Sequence, residues 1–360
     1  MSNLRPSKTV QKLLISTTSR LVGEYEDPEI LIVHAFPDFR APGFGARFQE
    51  TPMSRNAFVV TFRTEPIESG AVPDYTPFGD SVCICLSVLF GKRFDNHGYI
   101  EGIGAHWIPD YGTFQSLCDP SLPQNSHSPR IDLGIPLNLS EVSLIARILS
   151  DESLGRQRQF FLTAGRFYFQ ALQSFDRHRE TAYMNLITAA EILSNYFKYE
   201  KDDLLDESIK ATLMEITSSI PNGPQLAKQV ESRLLQIKRR FVKTLSRLVN
   251  DYFFSHTEST HQLGVLKQAD FEQRVAATYD LRSRYVHTGI PFGGWVGLKL
   301  GGGCTEILGV TPNVGDKKFQ KVLIRALTYF GLERLVRFSL LRFVHLVAFP
   351  LDPRLDDAET

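Results

Sequence analysis

The amino-acid sequence predicts an α+β protein, in which a β-rich N-terminal domain is followed by an all-α helical-bundle domain. Thirteen of the nineteen prolines precede residue 141, and proline is excluded from the interiors of helices and of central strands. From residue 141 onward, apolar residues recur at steps of three and four, which is the period of an amphipathic helix. We therefore predict a β-rich domain over residues 1–140, a helical domain over 141–350 and a disordered tail over 351–360.

The β-rich domain is predicted from short runs of β-branched and aromatic residues that are separated by turn-forming clusters. The runs of strand length are ILIVHAF (residues 30–36), NAFVVTF (56–62) and VCICLSVLF (82–90). They are typical of a sandwich or a partly open barrel, and we expect no long helix between residues 50 and 110. Residues 1–22 contain no acidic residue and predict a flexible or partly helical N-terminus. The Pro-, Ser- and Asn-rich stretch 119–140 marks the domain boundary.

The charges are balanced over the whole chain but not along it. Lys and Arg together number 40, as do Asp and Glu, yet residues 1–140 carry a net charge of −4 and residues 141–350 one of +7. A basic helical domain is compatible with a phosphate-bearing partner such as RNA. The four cysteines show neither disulfide-rich nor zinc-binding spacing, and no apolar run is long enough to span a membrane. We predict a cytoplasmic protein without a metal site, a cofactor or a membrane partner.

The helical domain is predicted to contain a long helix, a motif helix and an apolar final helix. These are assigned to residues 226–252, 270–289 and 317–347, after earlier helices at 157–173, 179–199 and 204–220. The long and final helices carry more apolar surface than one bundle needs, which predicts a homodimer through this domain. Arg240, Lys243 and Arg247 on the outer face of the long helix form either a track for an RNA backbone or an ordinary solvated face.

The motif helix begins at Asp270 and ends before Gly289, a residue typical of the left-handed position after a helix. Its predicted apolar stripe is Phe271, Val275, Tyr279 and Val286. The last step of this stripe skips position 282, so Arg282 takes a core-facing slot in which a guanidinium requires an anionic partner. Arg284 is expected to form an exposed ion pair with Asp280, four residues before it.

Arg282 and His287, separated by four residues, resemble the R-x4-H motif of the HEPN superfamily, and RSRYVHTG is most similar to its Apea-like branch. Two flanking segments carry the resemblance further. Residues 167–197 resemble the two preceding helices of the family, with Glu191 at the acidic position. Residues 326–344 resemble its last helix.

The resemblance covers residues 155–347 and implies an all-helical bundle, usually dimeric, that often acts as a metal-independent endoribonuclease. Its products would be 2′,3′-cyclic phosphate and 5′-hydroxyl ends. Arg282 would bind the scissile phosphate, His287 would transfer protons and Glu191 would orient Arg282, with two protomers sharing one cleft. The resemblance further implies prokaryotic defence or stress response, with the N-terminal domain sensing a phage-derived or stress-derived trigger. Ser283 departs from the Asn, Asp or His that many active members carry after the motif arginine.

Three functions are compatible with these residues. The first is the endoribonuclease, and the second is a catalytically weak HEPN module that binds RNA, a nucleotide or a partner protein, which Ser283 favours. The third is a structural module in which Arg282 and His287 form a buried polar pair. Glu191 has the alternative of an ordinary solvated helix residue. The glycine-rich stretch 289–315 either covers the site or is a surface insertion.

Overall fold

The structure is a computed structural model, and it describes residues 9–35, 55–65, 73–102, 105–110, 118–200, 204, 207–234, 237–300 and 303–357. The strands are β1 (Thr9–Thr17), β2 (Tyr25–Glu26), β3 (Ile30–His34), β4 (Asn56–Thr64), β5 (Phe94–Gly102), β6 (Ala105–His106), β7 (Lys299–Leu300) and β8 (Gly303–Cys304). The helices are α1 (Thr76–Phe90), α2 (Arg147–Ser150), α3 (Gly155–Ser174), α4 (Arg179–Ser194), α5 (Glu207–Ser219), α6 (Gly223–Leu234), α7 (Ile237–Arg247), α8 (Asp251–Ser255), α9 (Phe271–Thr288), α10 (Lys317–Arg325) and α11 (Tyr329–Val347). An N-terminal sheet followed by helices confirms the predicted α+β class.

In the described part of the chain, the N-terminal sheet is antiparallel, with six strands in the order β2-β3-β4-β1-β5-β6. The strands predicted at 30–36 and 56–62 are β3 and β4. β1 lies in the middle of the sheet, paired with β4 along its whole length, and Leu13 and Ile15 on it are fully buried. The flexible or helical N-terminus predicted for residues 1–22 is therefore wrong for β1. The predicted sandwich of two sheets is also wrong for the described strands before residue 110, because they belong to one sheet.

The run at 82–90, predicted as a strand, lies in the helix α1, so the expectation of no long helix between residues 50 and 110 is wrong. Every residue from 82 to 90 is buried, because α1 contacts the sheet as well as α3 and α11. A short apolar run that is buried on all sides shows no periodicity that separates a strand from a helix. Pro77 in the first turn and Gly91, with a φ of 62° at the C-terminal cap, are the local signals of the helix.

The helices pack around α11, which is buried over residues 329–344. α3 and α4 pack on each other and on α11, and α7 contacts both α4 and α9. The single helices predicted for 226–252 and 317–347 are wrong, since each stretch is divided into shorter helices. In the second stretch Thr328 is extended, and its hydroxyl accepts a hydrogen bond from the Gly331 N–H and caps α11. None of the described helices is long and apolar enough to cross a membrane.

The boundary stretch 119–140 lies against both parts of the chain. Leu133 and Ile135 are buried, and the buried apolar side chains of the sheet, of α1 and of the later helices form one continuous core. The boundary is thus a change of secondary structure within one core. The prediction of a disordered tail is wrong for residues 351–357. They include a 3-10 turn at Pro353–Leu355, and Leu355 is fully buried.

Buried charged side chains, here named the central ion network, connect the two parts of the chain. Its members are the arginines Arg130, Arg334 and Arg337 and the carboxylates Asp132, Glu258, Glu306 and Glu333. Arg130 Nη2 lies 2.7 Å from Glu333 Oε2, and Arg334 Nη1 lies 2.7 Å from Glu306 Oε1. A buried ion costs several kcal/mol unless its partners meet it, so the network fixes these segments in one arrangement.

Arg337 connects the central ion network to the C-terminal end of α1. Its Nε donates to the Val88 carbonyl at 3.0 Å, and its Nη2 donates to the Leu89 carbonyl at 2.7 Å. Its Nη1 donates to Asp132 Oδ1 at 2.9 Å. The last carbonyls of a helix have no partner within the helix, and the helix dipole favours a cation beside them. Arg337 therefore caps α1 from another helix.

Arg337→Ala is expected to lower the free energy of unfolding by about 3–5 kcal/mol, because Asp132 and the carbonyls of α1 lose a buried donor. Urea unfolding followed by circular dichroism measures this change. Arg166→Ala is the matched control, since Arg166 is exposed on α3, and it should change stability by less than about 0.5 kcal/mol. A loss below about 1 kcal/mol for Arg337→Ala would contradict a constraining role of the network.

Lys92 lies beside the central ion network and is fully buried. Its Nζ donates to the Pro123 carbonyl at 2.6 Å and to Ser126 Oγ at 2.8 Å. Burial, reinforced by the nearby Arg130, lowers the pKa of Lys92 to about 7. The same group titrates near 10.4 in an unfolded chain, so between these values the unfolded state binds more protons than the folded state. The folded state therefore gains stability from this group as the pH rises.

The free energy of unfolding of the wild type minus that of Lys92→Met is the quantity to follow. Between about pH 7 and pH 10 this difference should rise by up to about 1.4 kcal/mol per pH unit. Methionine keeps much of the side-chain volume but cannot titrate. Urea unfolding of both proteins at several pH values gives the difference directly. A difference that stays constant over this window is the result that contradicts the depressed pKa of Lys92.

Candidate functional site

The motif helix is α9, and it starts and ends where the sequence predicts. The 3-10 turn Gln268–Asp270 leads into it. Gly289 follows it with a φ of 67° and donates its N–H to the Tyr285 carbonyl at 2.9 Å. This left-handed conformation strains other residues, which explains the glycine. His287 therefore lies in the last turn, where the helix dipole favours a positive charge.

The buried face of α9 departs from the predicted stripe after its first turns. The residues buried at helical spacing are Phe271, Val275, Thr278 and Leu281. Val286, predicted in the core, is 53% exposed. Every residue of α9 after Leu281 is at least partly exposed, so the C-terminal end of the helix leaves the core. Arg282 therefore lies at the edge of the core, with 30% of its side chain exposed.

Arg282 has the anionic partner that the sequence requires. Its Nη2 lies 3.6 Å from Oε2 of Glu191 on α4, an ion pair that is longer than a hydrogen bond. The side chain of Glu191 is 17% exposed, so the alternative of a fully solvated glutamate is wrong. The Arg282 guanidinium also lies 5.7 Å from the ring centroid of Tyr279. Burial, and then the Glu191 carboxylate, raise the pKa of the Tyr279 phenol. Sequence reasoning placed Tyr279 in the core and missed this contact.

His287 is exposed, so it does not form a buried polar pair with Arg282, and the structural alternative is wrong in this respect. The two residues are five positions apart, which separates their directions by about 140° around α9. Val286 and Ile290 beside them are 53% and 41% exposed. The C-terminal end of α9 thus combines an arginine, an imidazole and exposed apolar side chains.

α7 runs antiparallel along α9 and extends this surface. Lys238 Nζ lies 2.6 Å from Asp280 Oδ1 towards the end of α9, whereas Ser246 Oγ donates to Glu272 Oε1 near its start. This direction places Ile237, which is 58% exposed, beside the C-terminal end of α9. Sequence reasoning did not find the Lys238–Asp280 pair, because 42 residues separate its members.

The predicted ion pair between Arg284 and Asp280 is wrong, because both residues have partners on other helices. Arg284 Nη2 lies 2.8 Å from Asp316 Oδ2, and its guanidinium lies 4.5 Å from the ring centroid of Phe319. Asp316 caps α10, and its pKa is lowered by the hydrogen bond from the Phe319 N–H and by Arg284. Arg284 therefore holds α10 against α9 and takes no part in the candidate site.

The basic residues of α7 do not form a free track along their helix. Arg240 Nη2 donates to the Ser194 carbonyl at 3.3 Å, and so binds the C-terminal end of α4. Arg247 places its guanidinium 4.6 Å from the ring centroid of Phe197. Lys243 is half-buried. Arg240 and Arg247 therefore hold α7 against the C-terminal end of α4 and the residues that follow it.

The glycine-rich stretch 289–315 packs into the core over much of its described part, so the expectation of a surface insertion is wrong. Phe292 and Val296 are buried, and the Phe292 ring lies 5.1 Å from the ring of Tyr285 and 5.2 Å from that of Tyr183. Further along, Glu306 belongs to the central ion network. The stretch thus supports the C-terminal end of α9 and connects it to the network.

The described residues contain no group of three His, Cys, Asp or Glu side chains that could hold a metal ion. Comparisons of the chain with protein-family models, with curated proteins and with solved structures found no match. The resemblance to HEPN proteins therefore rests on the R-x4-H motif and on the two flanking segments of the sequence.

Proposed function

We propose that the protein is a metal-independent endoribonuclease of HEPN type that uses Arg282 and His287. The observation that carries the proposal is an arginine held by Glu191 at a half-exposed position, with an exposed histidine at the same helix end. Cleavage by the 2′-hydroxyl requires proton transfer and stabilisation of charge on the phosphorane. An imidazole is suited to the first task and a guanidinium to the second.

The partners of Arg282 support a phosphate-binding role. Glu191 is 3.6 Å away, so it orients the guanidinium without occupying its N–H groups in short hydrogen bonds. The ring centroid of Tyr279 lies 5.7 Å from the same guanidinium. The remaining N–H donors can bind a phosphate through two oxygens, which is the geometry that arginine favours. His287, at the helix end, would transfer protons to and from the ribose and the leaving oxygen.

A second copy of the chain would complete the site. Within one chain, the directions of Arg282 and His287 around α9 differ by about 140°. This separation disfavours the binding of one phosphate by both side chains of the same chain. The exposed apolar residues Ile237, Val286 and Ile290 surround the same helix end. A homodimer through this surface would bury them and bring a second arginine and histidine opposite the first. The apolar surface of α11, by contrast, gives no support to a dimer, because residues 329–344 are buried within the chain.

The second candidate is a catalytically weak HEPN module that binds RNA, a nucleotide or a partner protein. Ser283 favours it, and so do the intramolecular contacts of Arg240 and Arg247, which remove two cations from an RNA track. In either case the N-terminal sheet would sense the trigger, of phage or stress origin. The central ion network would transmit it, since Glu306 lies in the stretch that supports the end of α9.

His287→Ala and Arg282→Ala should each reduce cleavage of a labelled RNA by at least about 100-fold, because a proton-transfer group and a phosphate contact are lost. Arg282→Ala should also weaken RNA binding, whereas His287→Ala should leave the fold unchanged because His287 is exposed. Gel analysis of the labelled RNA in the presence of EDTA measures cleavage without a divalent metal.

Arg284→Ala is the matched control, because it removes an arginine two positions from Arg282 that binds Asp316 instead of Glu191. It should retain cleavage. Wild-type activity that strictly requires a divalent ion, or full activity of either Arg282→Ala or His287→Ala, would overturn the ribonuclease proposal. Binding of RNA without cleavage by the wild type would favour the weak module.

Val286→Glu should convert a dimer into a monomer of 40.7 kDa and reduce cleavage, because a buried carboxylate without a partner opposes association. Light scattering at micromolar concentration measures the mass. Val22→Glu is the control, since Val22 is 63% exposed in the N-terminal part, and it should leave the mass unchanged. A wild-type mass of 40.7 kDa contradicts the shared cleft.

A further inference from the structure

A cavity away from the candidate site opens between the boundary stretch and β8. Its volume is about 220 Å³. Residues from both parts of the chain line it, among them Ser121, Ser126, Ser128, Glu258, Thr260 and Cys304. Ser128 and Thr260 are exposed and form its mouth, whereas Cys304 is buried and Glu258 belongs to the central ion network. The cavity therefore reaches from solvent to the edge of the network.

The inner wall of the cavity offers a carboxylate. Glu258 Oε1 accepts hydrogen bonds from Arg130 Nε and from the Ile131 N–H, whereas Oε2 accepts one from Arg130 Nη2. Oε2 therefore retains a lone pair for another donor. The five N–H donors of Arg130 are all used, by Glu258, Glu333 and the Gly91 carbonyl. Among the described lining residues, this leaves a carboxylate for a cation but no guanidinium for an anion.

The rest of the lining suits a short apolar body. Pro123, Pro129 and Ile131 contribute apolar surface, and serine and threonine hydroxyls supply further acceptors. Lys299 is close to the rim, but its Nζ already donates to Ser121 Oγ at 2.7 Å and lies 3.2 Å from Asp119 Oδ2. Its positive charge is thus paired outside the cavity.

The charge of the central ion network also favours a cation. The network contains four carboxylates against three guanidiniums, and the ammonium of Lys92 beside it would restore the balance. Because the pKa of Lys92 is lowered to about 7, this ammonium loses its charge near neutral pH. A bound cation at Glu258 would then replace the missing positive charge at low dielectric, where such an interaction is strong.

We propose that this cavity binds a small organic cation, whose amidinium, guanidinium or ammonium group donates to Glu258 and whose apolar body lies against Pro123 and Pro129. The site is separate from Arg282 and His287, and the proposal does not depend on the ribonuclease activity. A cation is preferred to a neutral molecule of the same shape because only the cation adds charge to the Glu258 hydrogen bond.

Benzamidine is a suitable probe, since it combines an amidinium with a flat apolar ring, and benzamide is its neutral counterpart of nearly the same shape. Titration calorimetry of the full-length protein should show benzamidine binding at least about tenfold more tightly than benzamide. Benzamidine should also raise the melting temperature in a concentration-dependent manner.

Two variants locate the binding. Ser128→Trp fills the mouth from an exposed position and should weaken benzamidine binding at least about tenfold, whereas Ser218→Trp on the exposed face of α5 should not change it. Glu258→Gln, if folded, should remove the preference for benzamidine over benzamide. The proposal is overturned by equal affinities for the two compounds, by an unchanged affinity in Ser128→Trp, or by no binding up to about 10 mM.

Discussion

The central ion network is the constraint on which the rest of the structure depends. Its charges are largely removed from water, and an unpaired buried ion costs several kcal/mol, so the fold requires that these partners meet. Asp132 lies between Arg334 and Arg337, and Glu306 binds Arg334 on another side. An apolar helix can shift along an apolar core at small cost, whereas a shift of α11 would separate these pairs together. The network therefore fixes the position of α11 along its axis as well as its contacts.

This constraint explains the composition of α11, which carries charged residues although it is enclosed by the chain. Glu333, Arg334 and Arg337 are each at most 2% exposed, and each is directed to a partner outside the helix. Arg342, equally buried, donates to the Val249 carbonyl and to Asp357. The last contact joins the helix to the segment that follows it. Side chains that would be surface charges on an ordinary helix thus determine here which segments surround it.

Local signals in the sequence predicted the structure correctly where a segment contains the residues that begin and end its helix. They also predicted a contact where the segment contains a charged side chain that requires a partner. α9 lies between Asp270 and Gly289 as predicted, and the need of Arg282 for an anion, together with the HEPN resemblance, led to Glu191. The run at 82–90 gave no periodicity, since all its faces are buried, and it was assigned to the wrong class. The central ion network could not be predicted for another reason. Arg130 and Glu333 are 203 residues apart, and no local sequence pattern indicates that they are in contact.

The stretch that follows α9 connects the candidate site to the same network. Phe292 packs on Tyr285 of α9, and Glu306 of that stretch binds Arg334. A trigger that displaces the segment carrying Asp132 would leave Arg334 and Arg337 with an incomplete set of partners. Buried charges cannot lose their partners gradually, because each unpaired state is costly at low dielectric, so the response would be a change between discrete arrangements. In the proposed signalling, the end of α9 would follow through Glu306, which lies in the stretch that packs on Tyr285.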